Sequence, residues 1–596
     1  MALLKQNFSK WSLLGQGLFV YVWMTVLKDS DSRVGIYVLC AMAAVLILFD
    51  RYRSLDRIGV DREKGSVSVE ILSGLFSLAV LLANYPIFLE VRDATRVDSD
   101  SNAMVNAVRC CAVFIGGFFV GRNIISCVLA HFPREVSGEN RTREKARKVF
   151  WGAFLVLVFV YGGYFFLTEY PGNITSDSLT QIRHGLSNRY DTMHPFWHSM
   201  VIKVCLVVGN GLFGDLNAGV ACYSVVQILA MAGCIAYLIM TLYEAGIPGW
   251  CVGVSLAGYA VVPYHIALSI TLWKDIPHSL GILLLVTALF RRLRSLGSCP
   301  VRETVLMAVG GLLVGLMRTN GVVTLGIFLV IMARFLWKLD RRILSLLGMV
   351  FLVCVVLCGP VMGLFDTYEH SFAFLETFSV PIQQVARVIA EGGELTPDQL
   401  ALVDRMVDSQ KIGEIYTPES VDSVKHTMYL SDPGFFLENK AQYGKLWVDL
   451  GMKYPMEYLK AWVDVTKGFW NGGYRFRQYS EGILGNDLGL EKTVVSGLLL
   501  KLKNLWFGFV RFTVVADVIN SIGLQVWVMI LGWFVNLKNR KAEAWLFVPY
   551  VVILLGLWLG TPVFAEFRYA YPLIHTLPLL IAMSFFNTGN AGREMK

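Results

Sequence analysis

Charged side chains are scarce in this sequence: Asp, Glu, Lys and Arg make up 16% of the 596 residues, whereas apolar residues make up 55%. A soluble domain usually carries about a quarter charged residues. Apolar runs of about 20 residues, long enough to cross a bilayer as a helix, recur from end to end. Since unpaired backbone groups are too costly in lipid, the sequence predicts an all-α polytopic membrane protein.

Several functional motifs are also missing. The chain has no Walker loop, no HExxH or CxxC motif and no Rossmann glycine pattern, so a nucleotide cofactor is not indicated. No tract of Lys and Arg is long enough for a nucleic-acid arm, although the net charge is +8. The 11 cysteines lie in or beside apolar runs and none lies within 365–505, so we expect small core residues and no disulfides. The first apolar run lacks a small-residue cleavage site and predicts a retained helix.

The apolar runs predict about 14 transmembrane helices. They lie near 12–28, 34–50, 67–89, 105–130, 149–167, 217–242, 249–270, 277–291, 304–317, 320–337, 343–364, 512–536, 545–560 and 569–586. With this count, the basic loops fall on one side, near 51–64, 134–148, 291–294, 338–342 and 538–541. The positive-inside rule makes that side cytoplasmic, so both termini are predicted to be cytoplasmic.

The run HPFWHSMVIKVCLVVGN, 194–210, is assigned differently. Counting it as a span would place the basic loop 291–294 outside, so we predict a helix lying along the outer membrane surface. Residues 168–216 then form one large external loop. The same orientation brings four charged residues to the outer face: Lys274, Asp275, Arg318 and Arg568.

Composition divides the chain into four parts. Residues 1–148 predict an N-terminal four-helix membrane module, and residues 149–364 predict the membrane core that carries the external loop. Residues 365–511 predict an inserted external α-rich domain, and residues 512–596 predict C-terminal transmembrane helices. The inserted part is recognised by alternating charge and by the turn signals EGGELTPDQ, YTPES and SDPGF.

The external loop contains a lone carboxylate among hydroxyls and amides. In EYPGNITSDSLTQ, 169–181, Asp177 follows a Pro-Gly turn and could act as a general base or hold a divalent metal. The alternative is that Ser176, Asp177 or Ser178 caps a helix. His194 precedes the proline that starts the next helix and is either an N-cap or a proton carrier.

Two motifs at other span ends suit an anionic substrate. LWKDIPHS contains Lys274 and Asp275, which we interpret as a phosphate-contacting cation and a second acid that face one cavity. LMRTNG places Arg318 at a tight outer turn. The alternative for the first pair is an interfacial pair whose lysine reaches the headgroups beside an anchoring tryptophan.

Two later motifs add further polar residues. PIQQVARVI sets Gln383, Gln384 and Arg387 on one face of a helix. FAEFRYAYP places Arg568 and Tyr569 in the last outer loop, where a guanidinium can pair with phosphate in a fork. Each residue alone is also typical of an aromatic-belt anchor or a structural ion pair. Their joint placement on one side favours a functional site.

The order of these motifs resembles the GT-C superfamily of integral-membrane glycosyltransferases. In that family the first core span leads into a large external loop with a catalytic acid, and a late outer loop binds a lipid-linked donor. Asp177 in SDSLTQ resembles the catalytic acid, HPFWH the juxtamembrane helix, and Arg568 the late phosphate-binding arginine. Lys274 and Asp275 resemble the second-loop motif. The short motifs YPG, HP, KD, RTNG, PIQQVAR and FRYAYP also resemble an uncharacterised group of bacterial membrane proteins, over residues 149–586.

This resemblance implies a GT-C-like core in the plasma membrane with its active site on the outer face. The donor would be a polyprenyl-phosphate-linked sugar, and the acceptor a cell-envelope glycan or lipid. The resemblance implies catalytic roles for Asp177, His194 and Asp275. It implies donor binding by Lys274, Arg318, Gln383, Gln384, Arg387, Arg568 and Tyr569. Many members carry a paired acid in the first loop and this chain does not, so the need for a divalent cation is left open.

Three other functions are compatible with the sequence. A transporter or flippase would carry ionisable or Gly/Pro-broken sites near mid-membrane, often in two matching halves, which we do not find. An oligosaccharide polymerase or ligase also uses lipid-linked donors and would depend on outer-loop arginines and a histidine, such as Arg387 and His194. A non-catalytic scaffold would dock partners through 365–505.

Overall fold

Helices dominate the computed structural model, which describes residues 2–27, 35–58, 66–89, 99–136, 141–296, 300–476, 481–512 and 514–587. The N-terminal helices are α1 (Ala2–Leu27), α2 (Gly35–Ile58), α3 (Val67–Ala83), α4 (Pro86–Leu89) and α5 (Ser99–His131). The next ten are α6 (Arg143–Thr168), α7 (Ser176–Ser187), α8 (Phe196–Phe213), α9 (Leu216–Glu244), α10 (Gly249–Val261), α11 (Pro263–Leu268), α12 (Asp275–Leu293), α13 (Pro300–Leu316), α14 (Gly321–Leu339) and α15 (Arg341–Val356).

The second half begins with eight short helices. These are α16 (Ser371–Thr377), α17 (Ser379–Ala390), α18 (Pro397–Asp404), α19 (Ile412–Ile415), α20 (Asp422–Ser431), α21 (Pro433–Glu438), α22 (Lys440–Lys453) and α23 (Pro455–Thr466). The last helices are α24 (Gly497–Phe512), α25 (Val514–Ile519), α26 (Ile522–Lys538), α27 (Val548–Gly560) and α28 (Phe567–Phe585). Two-residue strands pair in parallel, β1 (Arg134–Glu135) with β4 (Phe586–Asn587) and β2 (Tyr190–Asp191) with β3 (Thr367–Tyr368).

The described residues contain eight helices that are long and apolar enough to cross a membrane. They are Ala103–His131, Arg143–Thr168, Phe196–Phe213, Leu216–Glu244, Asp275–Leu293, Gly321–Leu339, Arg341–Leu364 and Ala542–Gly560. Three shorter apolar helices, α3, α10 and α26, accompany them. The protein is therefore an all-α membrane protein, as the sequence predicts. Of the predicted basic loop 51–64, residues 59–64 lie outside the described residues.

Two predicted spans are not single helices. The run 249–270 is divided into α10 and α11 because Pro263 lacks the N–H that a continuous helix needs, and instead occupies the first position of α11. The run 512–536 is divided among α24, α25 and α26. The last of these helices starts after Ser521, whose hydroxyl accepts a hydrogen bond from the Leu524 N–H at 3.1 Å. As continuous spans, both predictions are wrong.

The N-terminal helices have a hydrophobic core of their own. Helices α1, α2, α3 and α5 pack around Trp23, which is fully buried. Two tyrosines attach this core to the rest of the chain: the Tyr37 hydroxyl donates to Asn471 Oδ1 at 2.8 Å, and the Tyr85 hydroxyl donates to Asp464 Oδ2 at 2.7 Å. The four helices therefore dock against the end of α23 and the turn that follows it.

Residues 375–458 enclose another separate hydrophobic core, within the stretch predicted as an inserted domain. It is built from short amphipathic helices, of which α17 and α23 make the most extensive contact. Helix α24 lies apart from this core, because Lys503 pairs with Glu169 at 2.9 Å and Trp506 donates to the carbonyl of Val261 at 2.8 Å. The separate core is thus shorter than the predicted 365–511.

Helices α8 and α9 approach closely at two glycines. A Cβ on Gly209 would lie 2.6 Å from the Cα of Gly219, and a Cβ on Gly219 would lie 2.9 Å from the Cα of Leu206. Larger side chains would push the helices apart, since backbone atoms cannot yield as a side chain can. This contact fixes the position of α8 and of the loop that precedes it.

Replacing Gly209 with Val should separate α8 from α9 and lower the free energy of unfolding by about 1–3 kcal/mol. Gly211 is the matched control, because no atom lies within 4 Å of the place its Cβ would occupy. Thermal unfolding of the detergent-solubilised protein measures both variants. Equal melting temperatures for Gly209→Val and Gly211→Val would contradict the close approach.

Candidate functional site

The turn that follows α6 folds the chain back over the helices. Gly172 has a φ of +136°, which favours glycine, and its N–H donates to the Glu169 carbonyl at 2.8 Å. The next residue, Asn173, donates its N–H to the Ile270 carbonyl at 3.0 Å and accepts from the Leu272 N–H at 3.2 Å. The loop after α6 therefore lies against the segment that leads into α12.

Thr175 is the N-cap residue of α7, and Ser178, one of the three residues that the sequence suggested, completes the capping box. The Ser178 hydroxyl accepts a hydrogen bond from the Thr175 N–H at 3.1 Å, and the Trp273 indole donates to the Thr175 hydroxyl at 2.8 Å. The capping interpretation of Asp177 is wrong. Its side chain lies in the first turn of α7 and is available for other contacts.

Asp177 lies at the centre of a charged cluster. Its Oδ2 accepts a hydrogen bond from Arg568 Nη1 at 2.8 Å and lies 3.7 Å from Lys274 Nζ. Its Oδ1 lies 4.0 Å from His194 Nε2. Burial opposes ionisation of this carboxyl, but Lys274, Arg568 and His194 outweigh it and hold the pKa of Asp177 well below its usual range. Asp177 is therefore an ionised carboxylate at neutral pH.

Asp191 orients His194. Asp191 Oδ1 lies 3.1 Å from His194 Nδ1, and Asp191 Oδ2 lies 3.2 Å from His184 Nε2. Burial acts against ionisation, but the hydrogen bonds from His184 and His194 hold the pKa of Asp191 far below its usual range. Because a carboxylate only accepts hydrogen bonds, both imidazoles donate to it.

The other nitrogen of His194 is left as an acceptor. Burial lowers the pKa of His194, so the imidazole is neutral near pH 7 and Nε2 carries a lone pair. Among the described residues Nε2 has no hydrogen-bond partner, although it is buried. Nε2 and Asp177 Oδ1 are thus two acceptors 4.0 Å apart, an arrangement that suits a hydroxyl group between them.

Three residues of this group could hold a metal ion. His184, Asp191 and His194 each offer one ligand atom, and these atoms lie within 4.8 Å of one another. Two imidazoles and a carboxylate are a common donor set for Zn²⁺ and for Fe²⁺. Hydrogen bonds to Asp191 already satisfy His184 Nε2 and His194 Nδ1 without a metal, whereas His194 Nε2 has no partner among the described residues and is free to bind an ion.

Asp275 and Arg318 form the second ion pair of the cluster. Asp275 is 1% exposed at the first position of α12, and its Oδ1 lies 3.4 Å from Arg318 Nε. Within the described part of the chain, neither oxygen of Asp275 has a hydrogen-bond partner. A buried carboxylate that is not hydrogen-bonded is costly, which is typical of a site that binds a ligand.

Aromatic rings hold Arg568 in place. Its guanidinium lies 5.1 Å from the ring centre of Trp273 and 5.2 Å from that of Tyr569. Arg318 lies 5.3 Å from the same Tyr569 ring. Arg568 Nε also lies 3.4 Å from Glu566. The two arginines therefore share an aromatic support and are held near each other.

Seven of the ten residues predicted from sequence thus come together, and we call them the Asp177 cluster: Asp177, His194, Lys274, Asp275, Arg318, Arg568 and Tyr569. They come from the start of α7, the start of α8, the start of α12, the turn after α13 and the start of α28. The sequence did not assign roles to Asp191 and His184. The spacing of Asp191 and His194 in the DTMH stretch is the signal that could have found the first of them.

Three predicted residues lie elsewhere. Arg387 pairs with Glu457 at 2.9 Å and with Asp464 at 2.8 Å. The Gln383 amide donates to the Thr417 carbonyl at 2.7 Å, and the Gln384 side chain accepts from the Trp447 indole at 2.8 Å. These contacts lie within the inserted helical domain or between it and the end of α23, so their prediction as donor-binding residues is not supported by contact with the Asp177 cluster.

Fold and cluster together define an all-α membrane protein with a partly buried site of cations and carboxylates at one end of its helices. The chain belongs to DUF6020, a family of unknown function, which matches residues 186–596. The matched segment contains every residue of the Asp177 cluster except Asp177 itself. No curated protein and no solved structure matches the chain.

Replacing Arg387 with Met should lower the free energy of unfolding by about 1.5–3 kcal/mol, because it removes two charge-assisted hydrogen bonds and leaves Glu457 and Asp464 with only their lysine partners. Lys411→Met is the matched control, since its pair with Asp408 is exposed and contributes little. Thermal unfolding compares the two. If Arg387→Met melts as Lys411→Met does, Arg387 is not structural and its prediction as a substrate-binding residue regains support.

Proposed function

We propose that the protein is a membrane glycosyltransferase. It moves a sugar from a polyprenyl-phosphate-linked donor to a cell-envelope glycan or lipid acceptor on the outer face of the plasma membrane. The observation that carries this proposal is the position of Asp177, an ionised carboxylate between Arg568 and Lys274. Beside it lies a His194 nitrogen that has no hydrogen-bond partner among the described residues. This arrangement supplies a base and two phosphate-pairing cations at one point.

The proposal includes the topology expected from the sequence. It has about 14 transmembrane helices in a GT-C-like architecture, with residues 1–148, 149–364, 365–511 and 512–596 as its parts. Both termini are cytoplasmic, and the Asp177 cluster faces outward. Helix α28 supports this orientation, because its first turn contains Arg568 and its other end lies beside β1, at the basic end of the helices.

The phosphate of the donor binds first in this proposal. Arg568 and Lys274 pair with its oxygens in place of Asp177. The guanidinium of Arg568 makes a forked contact with phosphate, which is stronger than its contact with Asp177. Arg318 lies over the same Tyr569 ring as Arg568 and adds a further cation near the phosphate. Donor binding therefore releases the Asp177 carboxylate from its ion pairs and makes it a better base.

The transfer then moves one proton, forms one bond to the anomeric carbon and breaks another. The acceptor hydroxyl lies between Asp177 and His194 and loses its proton to Asp177 as its oxygen forms a bond to the anomeric carbon. The bond from that carbon to the phosphate oxygen breaks, and its electron pair leaves with the polyprenyl phosphate. Arg568 and Lys274 stabilise the growing negative charge. Asp191 holds the His194 ring in position throughout.

A membrane-facing cleft supports a lipid-linked donor. A cavity of about 730 Å³ runs between α10, α26 and α28, with Trp250, Val254, Ile574 and Ile581 among its mostly apolar walls. Its wall also includes Tyr264. The centre of this ring lies 4.7 Å from the ring centre of Phe567, the residue before Arg568. An isoprenoid chain in this cleft would carry its phosphate to Arg568.

A divalent cation is compatible with the proposal but carries no step in it. His184, Asp191 and His194 would hold it, and a bound cation there would supply positive charge beside the acceptor hydroxyl.

Replacing Asp177 with Asn should lower sugar transfer by about 10²–10⁴-fold, because the hydroxyl loses its base. Donor binding should stay or become tighter, since Arg568 and Lys274 lose a competing carboxylate. The assay follows transfer from a panel of polyprenyl-phosphate sugars by the purified protein. Asp487→Asn, at an exposed ion pair with Arg183, is the matched control. Full turnover in Asp177→Asn would exclude Asp177 as the base.

Replacing Arg568 with Gln should weaken binding of polyprenyl phosphate by about 10–100-fold, the usual effect of losing a hydrogen bond to a charged group. Binding can be measured by native mass spectrometry with the unglycosylated lipid phosphate. Arg183→Gln removes an exposed arginine near α7 and should bind as the wild type does. Identical affinities for the two variants would remove Arg568 from the phosphate site.

A transporter is the second candidate, and one observation favours it. His265 Nδ1 lies 2.9 Å from the Tyr571 hydroxyl and His575 Nδ1 lies 3.0 Å from the Ser279 hydroxyl, all inside the helix bundle. The sequence predicts that polar residues gather at one surface, whereas buried ionisable groups among membrane helices often mark a pathway. Sugar transfer that is unchanged in Asp177→Asn, together with pH-driven uptake lost in His575→Gln, would favour the transporter.

A further inference from the structure

A cleft of about 820 Å³ lies between α6, α9, α12 and α13. It is lined at one end by Arg143 and Arg147 in the first two turns of α6. The Asp177 cluster follows the other end of the same helix, whose 26 residues span about 39 Å. The cleft therefore lies at the opposite end of the helices from the proposed transferase site.

The mouth of the cleft carries uncompensated positive charge. Arg143 and Arg147 are one turn apart on α6, on the same face as Phe150. Both are exposed, and among the residues that the structure describes no acidic side chain pairs with either one. The intervening acid, Glu144, also lines the cleft, and its charge is balanced by Lys148 at 2.7 Å. Two guanidinium groups thus face one opening.

The other charges at the cleft are already balanced. Arg291 pairs with Glu244 at 2.6 Å and with Glu303 at 2.9 Å, and Arg302 pairs with Glu303 at 2.7 Å. Arg302 also lies over the Tyr237 ring at 5.6 Å. The free positive charge of the cleft consequently belongs to Arg143 and Arg147.

Below the arginines the cleft is apolar and open to the lipid side. Its walls include Leu229, which is 44% exposed, with Ala230, Leu284 and Leu306. At Gly233, on the same helix as Leu229, nothing lies within 4 Å of the place a Cβ would occupy. The shape is that of a space for hydrocarbon chains beneath a cationic rim.

We infer that this cleft binds a phospholipid of net negative charge from the surrounding bilayer. Its headgroup phosphate pairs with Arg143 and Arg147, and its acyl chains lie between α6 and α9 along Leu229 and Gly233. Charge complementarity selects an anionic headgroup, since basic pockets between membrane helices bind such lipids. The inference does not depend on the proposed sugar transfer, because the two sites share no residue.

Native mass spectrometry of the delipidated full-length protein tests the inference with phosphatidylglycerol, phosphatidylcholine and soluble glycerol phosphate. Phosphatidylglycerol should bind, and the double variant Arg143→Gln/Arg147→Gln should weaken its binding by roughly tenfold or more. Gly233→Leu should weaken it too, because the added side chain fills the space for the acyl chain without changing any charge. Lys145→Gln removes a charge from the opposite face of α6 and should bind as the wild type does.

Three results would overturn the inference. They are equal affinity for phosphatidylcholine, unchanged affinity in both the arginine double variant and Gly233→Leu, and competition by glycerol phosphate as strong as that by the lipid. The last result would assign the arginines to a soluble phosphate compound. Melting temperatures equal to that of Lys145→Gln show that the variants are folded, so that a loss of binding reports on the cleft.

Discussion

The ion pair between Asp177 and Arg568 is the interaction on which the site depends. It joins residues 391 positions apart at 2.8 Å and fixes the start of α28 against the start of α7. Lys274 lies 3.7 Å from the same carboxylate, and therefore the start of α12 is held at this point too. Partial burial strengthens such a pair, since water screens it less than at an exposed surface. Attraction between these charged side chains therefore holds the starts of α7, α12 and α28 together.

Each of the three cations in the cluster faces a carboxylate, and this pairing shapes what the cluster can do. Arg568 and Lys274 share Asp177, while Arg318 faces Asp275. An anionic ligand would have to displace a carboxylate from its cations. Binding of the ligand is therefore coupled to the loss of the ion pairs of that carboxylate. At the far end of α6 the balance is different, because Arg143 and Arg147 have no described acidic partner. The same helices thus present a compensated site at one end and an uncompensated one at the other.

Asp464 plays a comparable part for the inserted helical domain. Its carboxylate accepts hydrogen bonds from the Tyr85 hydroxyl at 2.7 Å and from Arg387 at 2.8 Å, and pairs with Lys467 at 2.8 Å. It therefore ties the N-terminal helices, α17 and α23 to one another. The polar motif around Arg387 is explained by this connection within the structure. A motif of glutamines and an arginine is equally typical of a site and of a domain junction, and only its partners distinguish the two.

The sequence by itself determined that this is a helical membrane protein, because low charge and long apolar runs leave few other ways to satisfy the backbone in lipid. It also identified seven residues of the Asp177 cluster, since polar residues at helix ends are few in so apolar a chain. Tertiary structure decided which of them meet, that Thr175 rather than Asp177 caps α7, and that Arg387 belongs to another junction. It also showed the pairing of Asp191 with His184 and His194. The physical reason is that an ion pair or a hydrogen bond depends on the distance between two groups in space. Helix packing, at contacts such as that of Gly209 with Gly219, sets this distance, and sequence spacing does not reveal it.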